Sequence, residues 1–433
     1  MLNGIFVFIV LLSILLAAYS GGMKDLTDAV LQQSRAAVDL SIKLIGVMAF
    51  FLGLMKVAED GGLLRMIARI VAPVMRRLFP SVPQDHPAMS AMIMNIGSNM
   101  MGLANAATPF GIKAIEELDK LNGRKGTATN AMVLFLAINT AGLALLPTGV
   151  IGLRAAAGSA DATGIFFPTW FASGCATITG ILAAFLLSKL PRYRKSEPPG
   201  IAPEPAAPAA EGVELPGAGP VGQTIAWRRV ALWGFWLVFL VLLARHLTLA
   251  AIEQPIHELV RDVMSFWTLP AIILGVILFG WSRGVRVYES LVEGAKEGFQ
   301  VAVRIIPFLV AIVVAVGMFR ASGGMGQLVS LLSPVTSLIG MPAEALPMAI
   351  LRPLTGSGAM GVMVEAMNVH GPDSLIGYMV STFQGSTETT FYVLAVYFGA
   401  VGVTRTRHAL PACLAADVAG ILAAVLIVNV LFG

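Results

Sequence analysis

"HPAMSAMIMNIGSNMMGLANA", residues 86–106, and "LPMAILRPLTGSGAMGVMVEA", residues 346–366, are one passage written twice. Each opens beside a proline, passes through a centre of glycine with serine or asparagine, and ends on a polar residue before alanine. That last residue is Asn105 in the first copy and Glu365 in the second. Clustered glycines interrupt a helix. The flanks are as apolar as membrane segments. Backbone that leaves a helix at membrane depth is tolerated where it is buried in protein or lines a wet cavity. The two passages therefore predict broken helices or re-entrant hairpins around a polar interior.

The duplication extends outward. "MKVAEDGGLLRMIARIVAPV" (55–74) matches "FRASGGMGQLVSLLSPV" (319–335) at the double glycine and the later proline. "GILAAFLL" (180–187) matches "GILAAVLI" (420–427), and "IFVFIVLLSILL" (5–16) falls where "AIILGVILFGW" (271–281) falls. "AINTAGLALLPTGVIG" (137–152) occupies the place of "QGSTETTFYV" (384–393), with Asn139 and Thr140 near Gln384 and Gly385. The repeats are separated by "SEPPGIAPEPAAPAAEGVELPGAGPVGQ" (196–223), whose composition is that of an extended flexible linker. The expected organisation is a first repeat over 1–195, a cytoplasmic linker over 196–226, and an extra span plus the second repeat over 227–433. The N-terminal apolar stretch resembles a signal peptide but lacks Lys or Arg ahead of it. It also belongs to the repeat, so it is expected to be retained.

Of the 433 residues, 57% are hydrophobic and 12% charged, about half the charged share of a soluble domain. The class is an all-α polytopic membrane protein built from two inverted repeats with broken or re-entrant helical hairpins. Spans are expected near 3–19, 42–58, 128–147, 165–188, 229–248, 268–282, 302–319, 374–398 and 409–431. Interfacial helices are expected at 24–41, 63–79, 285–300 and 325–340. The net charge of +4 lies between apolar segments and reports topology rather than nucleic acid. Residues 63–79 carry Arg65, Arg69, Arg76 and Arg77, and 325–340 carry no basic residue. Inverting the second half places the first set in the cytoplasm. The loop 112–127 and Arg283, Arg286, Arg405 and Arg407 then fall inside too. The N-terminus and linker are expected on the cytoplasmic side of the membrane and the C-terminus outside.

Cys175 and Cys413 are far apart in apolar runs and read as buried residues rather than zinc ligands. HExxH, P-loop and GxSxG patterns are missing, and no nucleophile–base pair can be named, so no cofactor, metal or catalytic activity is expected. The informative residues are polar ones at membrane depth. An ionisable side chain at a helix centre costs about 2.5–3.5 kcal/mol on insertion scales, so Arg352, Glu365, Glu388 and Asp417 require partners or a wet cavity. Arg352 is expected to pair with Glu365 or Glu388, and Lys56 and Arg320 to reach the interface. Asn95, Ser98, Asn99, Asn105, Thr108, Asn139 and Thr140 from the first half are candidates to bind a solute. Arg352, Thr355, Ser357, Gln384, Ser386 and Thr387 are their counterparts from the second. Glu365 and Glu388 are candidates to carry a coupling cation or proton. A helix break at Gly385 would put Ser386, Thr387 and Glu388 in a first turn. Thr389 and Thr390 on a membrane helix ordinarily bond back to the preceding turn.

The first half, through "NMMGLANAATPFGIKA" (99–114), resembles the spore maturation protein A family. The second resembles the spore maturation protein B family through "RPLTGSGAMG", "GPDS" (371–374), "QGSTETTFYVLAVYFGAVG" and "RHALPACLAAD" (407–417). Both are Gate, or nucleoside-recognition, proteins, a group that includes the membrane segments of the ferrous iron transporter B. The group is similar to concentrative nucleoside transporters. The resemblance implies a transport-like core with inverted repeats and paired hairpins. No Cys or Met-Cys pair sits at the hairpins to offer iron a soft ligand. The expected function is a permease moving a small polar or anionic solute, with cation or proton coupling. A translocase of a lipid-linked envelope precursor and a non-transporting scaffold remain open. Expected partners are membrane lipid and a solute or ion but no nucleic acid, with a homo-oligomer left open.

Overall fold

The computed structural model describes residues 2–102, 104–200, 226–250, 259 and 263–433. Most of the expected linker, 201–225, lies outside the described residues. The described residues form helices joined by turns and loops, with no strand among them and two isolated β-bridges, Asn122 with Gly200 and Thr127 with Arg405.

The first half runs α1 (Leu2–Ser20), α2 (Met23–Asp60), α3 (Leu63–Leu78), α4 (Pro87–Met100), α5 (Ala104–Lys120), α6 (Asn130–Ala141), α7 (Thr148–Ala156) and α8 (Phe166–Ser188). A short α9 (Pro191–Arg194) and α10 (Ala226–Ala250) follow. The second half runs α11 (Thr268–Ser282), α12 (Val287–Ala321), α13 (Gly324–Thr336), α14 (Leu346–Leu354), α15 (Gly356–His370), α16 (Leu375–Ser386), α17 (Thr390–Ala400) and α18 (Ala409–Phe432). Helix for helix, α11 to α18 repeat α1 to α8 in order. The α6 and α16 helices are both 12 residues long, which sets Asn139 opposite Gln384 as the sequence match requires.

Two expected boundaries disappear. Residues 24–41 and 42–58 form one helix of 38 residues, and 285–300 and 302–319 form one of 35. No glycine pair or proline separates the amphipathic part from the apolar part of α2, so the helix continues. At 1.5 Å per residue it spans about 57 Å, well beyond the roughly 30 Å hydrocarbon core. Two other expected spans are interrupted: 128–147 stops short, with α6 ending at Ala141 and α7 starting only at Thr148, and 374–398 divides into α16 and α17. The double glycines act as read. Gly62 and Gly323, both left-handed with φ of 83° and 78°, cap the starts of α3 and α13. The chain bends by 80° between α12 and α13.

The long counterparts pack on each other through missing side chains. A Cβ on Gly298 would lie 2.6 Å from the Met48 carbonyl oxygen, and one on Gly294 2.6 Å from that of Leu52. One on Gly317 would lie 2.5 Å from Gln33 Cγ. Contacts that climb α2 therefore descend α12, and the two helices are antiparallel. The counterparts α8 and α18 are antiparallel too, with Gly180 against Ala416 and Gly420 against Ala176. Small residues at such crossings are how membrane helices approach closely. Against α8 and α18 lie α6, buried throughout Met132–Ala141, and α16, buried from Gly377 to Phe383. Helices apolar on every side belong inside.

Among the described residues, four helices are long and apolar enough to cross a membrane: Met23–Asp60, Phe166–Ser188, Trp227–Ala250 and Ala409–Phe432. The bent pair at 309–334 adds a fifth when taken as one span. The chain is an all-α, multi-pass membrane protein.

Candidate functional site

Four helix breaks converge on one place. The α4–α5 break turns at Gly102, whose φ of 74° is left-handed. A Cβ there would meet the Leu146 carbonyl oxygen at 2.7 Å, and Leu145 N–H donates to the Met100 carbonyl at 2.8 Å. The α6–α7 break starts at left-handed Gly142 and ends at Pro147. The α14–α15 break is Thr355 alone, extended, with its hydroxyl accepting from Gly358 N–H at 3.2 Å.

The fourth break corrects an expectation. Gly385 stays helical within α16, and the chain opens at Thr387 and closes at Thr389. Main-chain groups at the break are taken by other elements. Glu388 N–H donates to the Thr140 carbonyl at 2.7 Å, and the Arg352 guanidinium donates to the Thr387 carbonyl. Two β-branched threonines add a preference for extended backbone. Glycine at 385 serves packing instead, because a Cβ would press on Thr169 Cγ2 at 2.9 Å. Glu388 thus sits in the break itself rather than in a first helical turn. The α6–α7 and α16–α17 breaks touch, since a Cβ on Gly142 would lie 3.0 Å from Glu388 N.

A cavity of about 320 Å³ occupies this junction. Its polar lining is Asn99 and Thr148 from the first half, and Arg352, Gln384 and Glu388 from the second. The charged groups come from the second half only. Arg352, 3% exposed, donates from Nη1 to Thr389 Oγ1 at 3.0 Å and lies 3.7 Å from Glu388 Oε2. The Glu388 side chain is 49% exposed and lines the cavity. Behind the first-half wall is an amide network. Asn99 Nδ2 donates to Asn139 Oδ1 at 3.0 Å, and Asn139 Nδ2 donates to the Phe135 carbonyl at 2.9 Å. Asn95 Nδ2 donates to the Ala107 carbonyl at 2.8 Å and to Tyr397 Oη at 3.2 Å. Tyr397 was not legible as a site residue; it stacks on Phe135 at 6.0 Å and brings a phenol from α17 into the network.

The remaining candidates divide as follows. Ser98 is buried beside Asn99, and Ser386 bonds back to Phe383. Thr140 and Thr387 contribute main-chain oxygens. Ser357 is half-buried in the first turn of α15, and Thr108 lies in α5. The Asn105 side chain falls outside the described residues. Glu365 is elsewhere: Arg320 grips it in bidentate fashion, Nε to Oε1 at 2.7 Å and Nη2 to Oε2 at 3.1 Å. Arg320 therefore does not reach for the interface, and Arg352 pairs with Glu388 rather than Glu365. Lys56 pairs with Glu59 and Asp60 on its own helix. Thr389 and Thr390 do not bond back; they meet Arg352 and Asp417.

Two arginines hold the halves together: Arg154, which the sequence did not single out, and Arg407, which it marked only as a topology charge. Arg154, fully buried at the end of α7, donates to the Pro372 carbonyl at 2.7 Å, the Asp161 carbonyl at 3.0 Å and Asp373 Oδ1 at 2.9 Å. It also lies over the Tyr378 ring at 4.3 Å. Arg407, beyond α17, donates to the Ala128 carbonyl at 3.1 Å and Asn130 Oδ1 at 2.9 Å, and pairs with Glu197. Each clamp joins the end of the seventh helix of one half to the loop before the sixth helix of the other. Arg407, expected among the cytoplasmic charges, is 3% exposed and paired. Among the described residues it alone, besides glycines, has left-handed backbone, with φ of 52°. The only textual hint of Arg154 was a lone arginine in "IGLRAAAG" (151–158).

The chain is 48% identical over 170 residues to spore maturation protein B of Bacillus subtilis (strain 168), which spans 39% of this chain and 96% of that protein. It is 39% identical over 197 residues to spore maturation protein A of the same organism, spanning 46% of this chain and 98% of that protein. The two relatives match different parts of the chain. Residues 41–157 and 302–404, which contain all four breaks, match the Gate family, described as nucleoside recognition. The chain belongs to the Gate, nucleoside-recognition family and joins in one polypeptide the counterparts of two spore maturation proteins.

Proposed function

We propose that the protein is a permease for a small polar or anionic solute, bound in the cavity where the four breaks meet. The carrying observation is that cavity: about 320 Å³, lined by amide and hydroxyl from one half and by Arg352, Gln384 and Glu388 from the other. Discontinuous membrane helices commonly bind solutes and coupling ions at their interruptions. Asn99 and Gln384 hydrogen-bond the solute. Arg352 attracts its negative charge, and Glu388 exchanges a proton or cation as the solute enters. Glu365, held by Arg320, positions α12 against α15.

The halves are inverted in this reading. Support comes from the antiparallel pairing of α2 with α12 and of α8 with α18, and from the basic face of α3, which α13 lacks. That arrangement puts the N-terminus and linker in the cytoplasm and the C-terminus outside. Proteoliposome uptake of labelled nucleosides and small organic anions tests the proposal. Uptake by the native chain and its loss in Asn99→Ala and Arg352→Gln support it. Uptake unchanged by both substitutions rejects it.

A second reading has its own support. An apolar cleft of about 700 Å³ lies between α10, α11 and the α6–α7 break, lined by Trp170, Trp236, Phe239, Trp267 and Phe279. It shares Leu146 with the polar cavity. A lipid-linked precursor could lay its chain there and its head group beside Arg352. Ala271→Trp separates the readings, since Ala271 lines the apolar cleft and not the polar cavity: it obstructs a lipid-linked substrate and spares uptake of a small solute.

A further inference from the structure

Asp417, on α18, is 1% exposed. Its Oδ2 accepts from Thr390 Oγ1 at 2.6 Å, and its Oδ1 meets no donor. Beside it Thr387, 2% exposed, has a hydroxyl with no partner. A Cβ on Gly420, one turn beyond Asp417, would lie 2.7 Å from Thr387 Cγ2, so the threonine and the acid share one face of α18. A buried carboxylate needs several donors or a cation to remain charged. Asp417 has one hydroxyl.

The neighbouring ionisable groups do not supply the rest. Arg352, on α14, feels both Glu388 and Asp417, but its guanidinium is bonded to the Thr387 carbonyl, Thr389 and Glu388. Cys413 lies one turn earlier on α18 and is buried. The packed helices α6 and α8 carry no acid or base except the half-buried thiol of Cys175. The phenol of Tyr397 on α17 is turned to Asn95, and that of Tyr378 on α16 to Asp161.

We propose that Asp417 is a proton-binding site, held as a neutral carboxylic acid beneath the α16–α17 break. One buried cation, Arg352, stands between two acids. Adjacent threonines connect them: Arg352 to Thr389, then Thr390 to Asp417. Loss of the proton draws Arg352 from Glu388 and the cavity toward α18. The site is distinct from Glu388 and does not depend on the identity of any solute.

Infrared difference spectroscopy of the full chain in lipid tests this. A protonated-carboxyl band that shifts in heavy water is expected in the native protein, lost in Asp417→Asn and retained in Glu388→Gln. If Asp417→Asn fails to fold, Thr390→Val removes the hydroxyl donor and shifts the same band upward. A protonated-carboxyl region unchanged by these Asp417 and Thr390 substitutions overturns the proposal. So does a band seen in choline and abolished by sodium, which identifies a cation site instead.

Discussion

Arg352 and Glu388 form one ion pair, yet their substitutions should differ. Arg352 is buried and donates to two groups of the α16–α17 break. Hydrogen bonds from a charged group are worth about 1.5–3 kcal/mol. Arg352→Gln should lower the unfolding midpoint in detergent clearly and abolish uptake. Glu388 is half exposed, and such pairs contribute about 1 kcal/mol or less. Glu388→Gln should leave the midpoint almost unchanged while uptake is lost. Equal destabilisation by both would contradict the geometry. His408 supplies a pH signature just outside α18. Burial, with Arg407 next in the chain, holds its imidazole down to about 4. The unfolded chain binds that proton near 6.5, so stability is lost as pH falls from 6.5 toward 4. His408→Gln should flatten that acid limb of the thermal midpoint. At this scale the sequence was half legible. Arg352 and Glu388 stood out because charge at membrane depth demands a reason. Tyr397 and Arg154 did not, because an aromatic or a lone arginine beside a helix end is common, and only tertiary contact reveals its partners.

At the scale of elements, the pairing of α2 with α12 depends on absent Cβ atoms. Gly298→Leu forces a side chain into the Met48 main chain, and overpacking costs about 1–3 kcal/mol or more. Its midpoint should fall, with loss of the monodisperse species on size exclusion. Gly326, inside α13, has open space around it. Gly326→Ala should be neutral or stabilising by up to about 1 kcal/mol. The reverse order would mean the helices do not meet as described. The repeat made the elements and their order readable, including the double-glycine bends. It did not reveal that α2 and α12 are continuous, since a change from amphipathic to apolar composition does not itself stop a helix. It misplaced the α16–α17 break at glycine, because there the interruption is set by Arg352 and Thr140 taking main-chain groups from a distance.

For the whole molecule, the reciprocal clamps of Arg154 and Arg407 fix how the halves enclose the cavity. Arg154→Met strands Asp373 and several carbonyls, and breaking a buried charged contact costs about 3–5 kcal/mol. Arg154→Lys should not rescue it, because an ammonium cannot reproduce the planar fork. Limited proteolysis should then cut the 371–374 loop faster than in the native chain. The cavity at the junction is the central claim, and solute-dependent thermal stabilisation measures it most directly. The purified chain should be screened against nucleosides, small organic anions and lipid-linked phosphates, beside Asn99→Ala and Glu388→Gln. A ligand at a hundred times its Kd stabilises a one-site protein by about 2.7 kcal/mol. The account predicts a shift of the native midpoint by one chemical class, reduced or lost in both variants. A shift of equal size in all three proteins would place the binding site elsewhere and contradict the account.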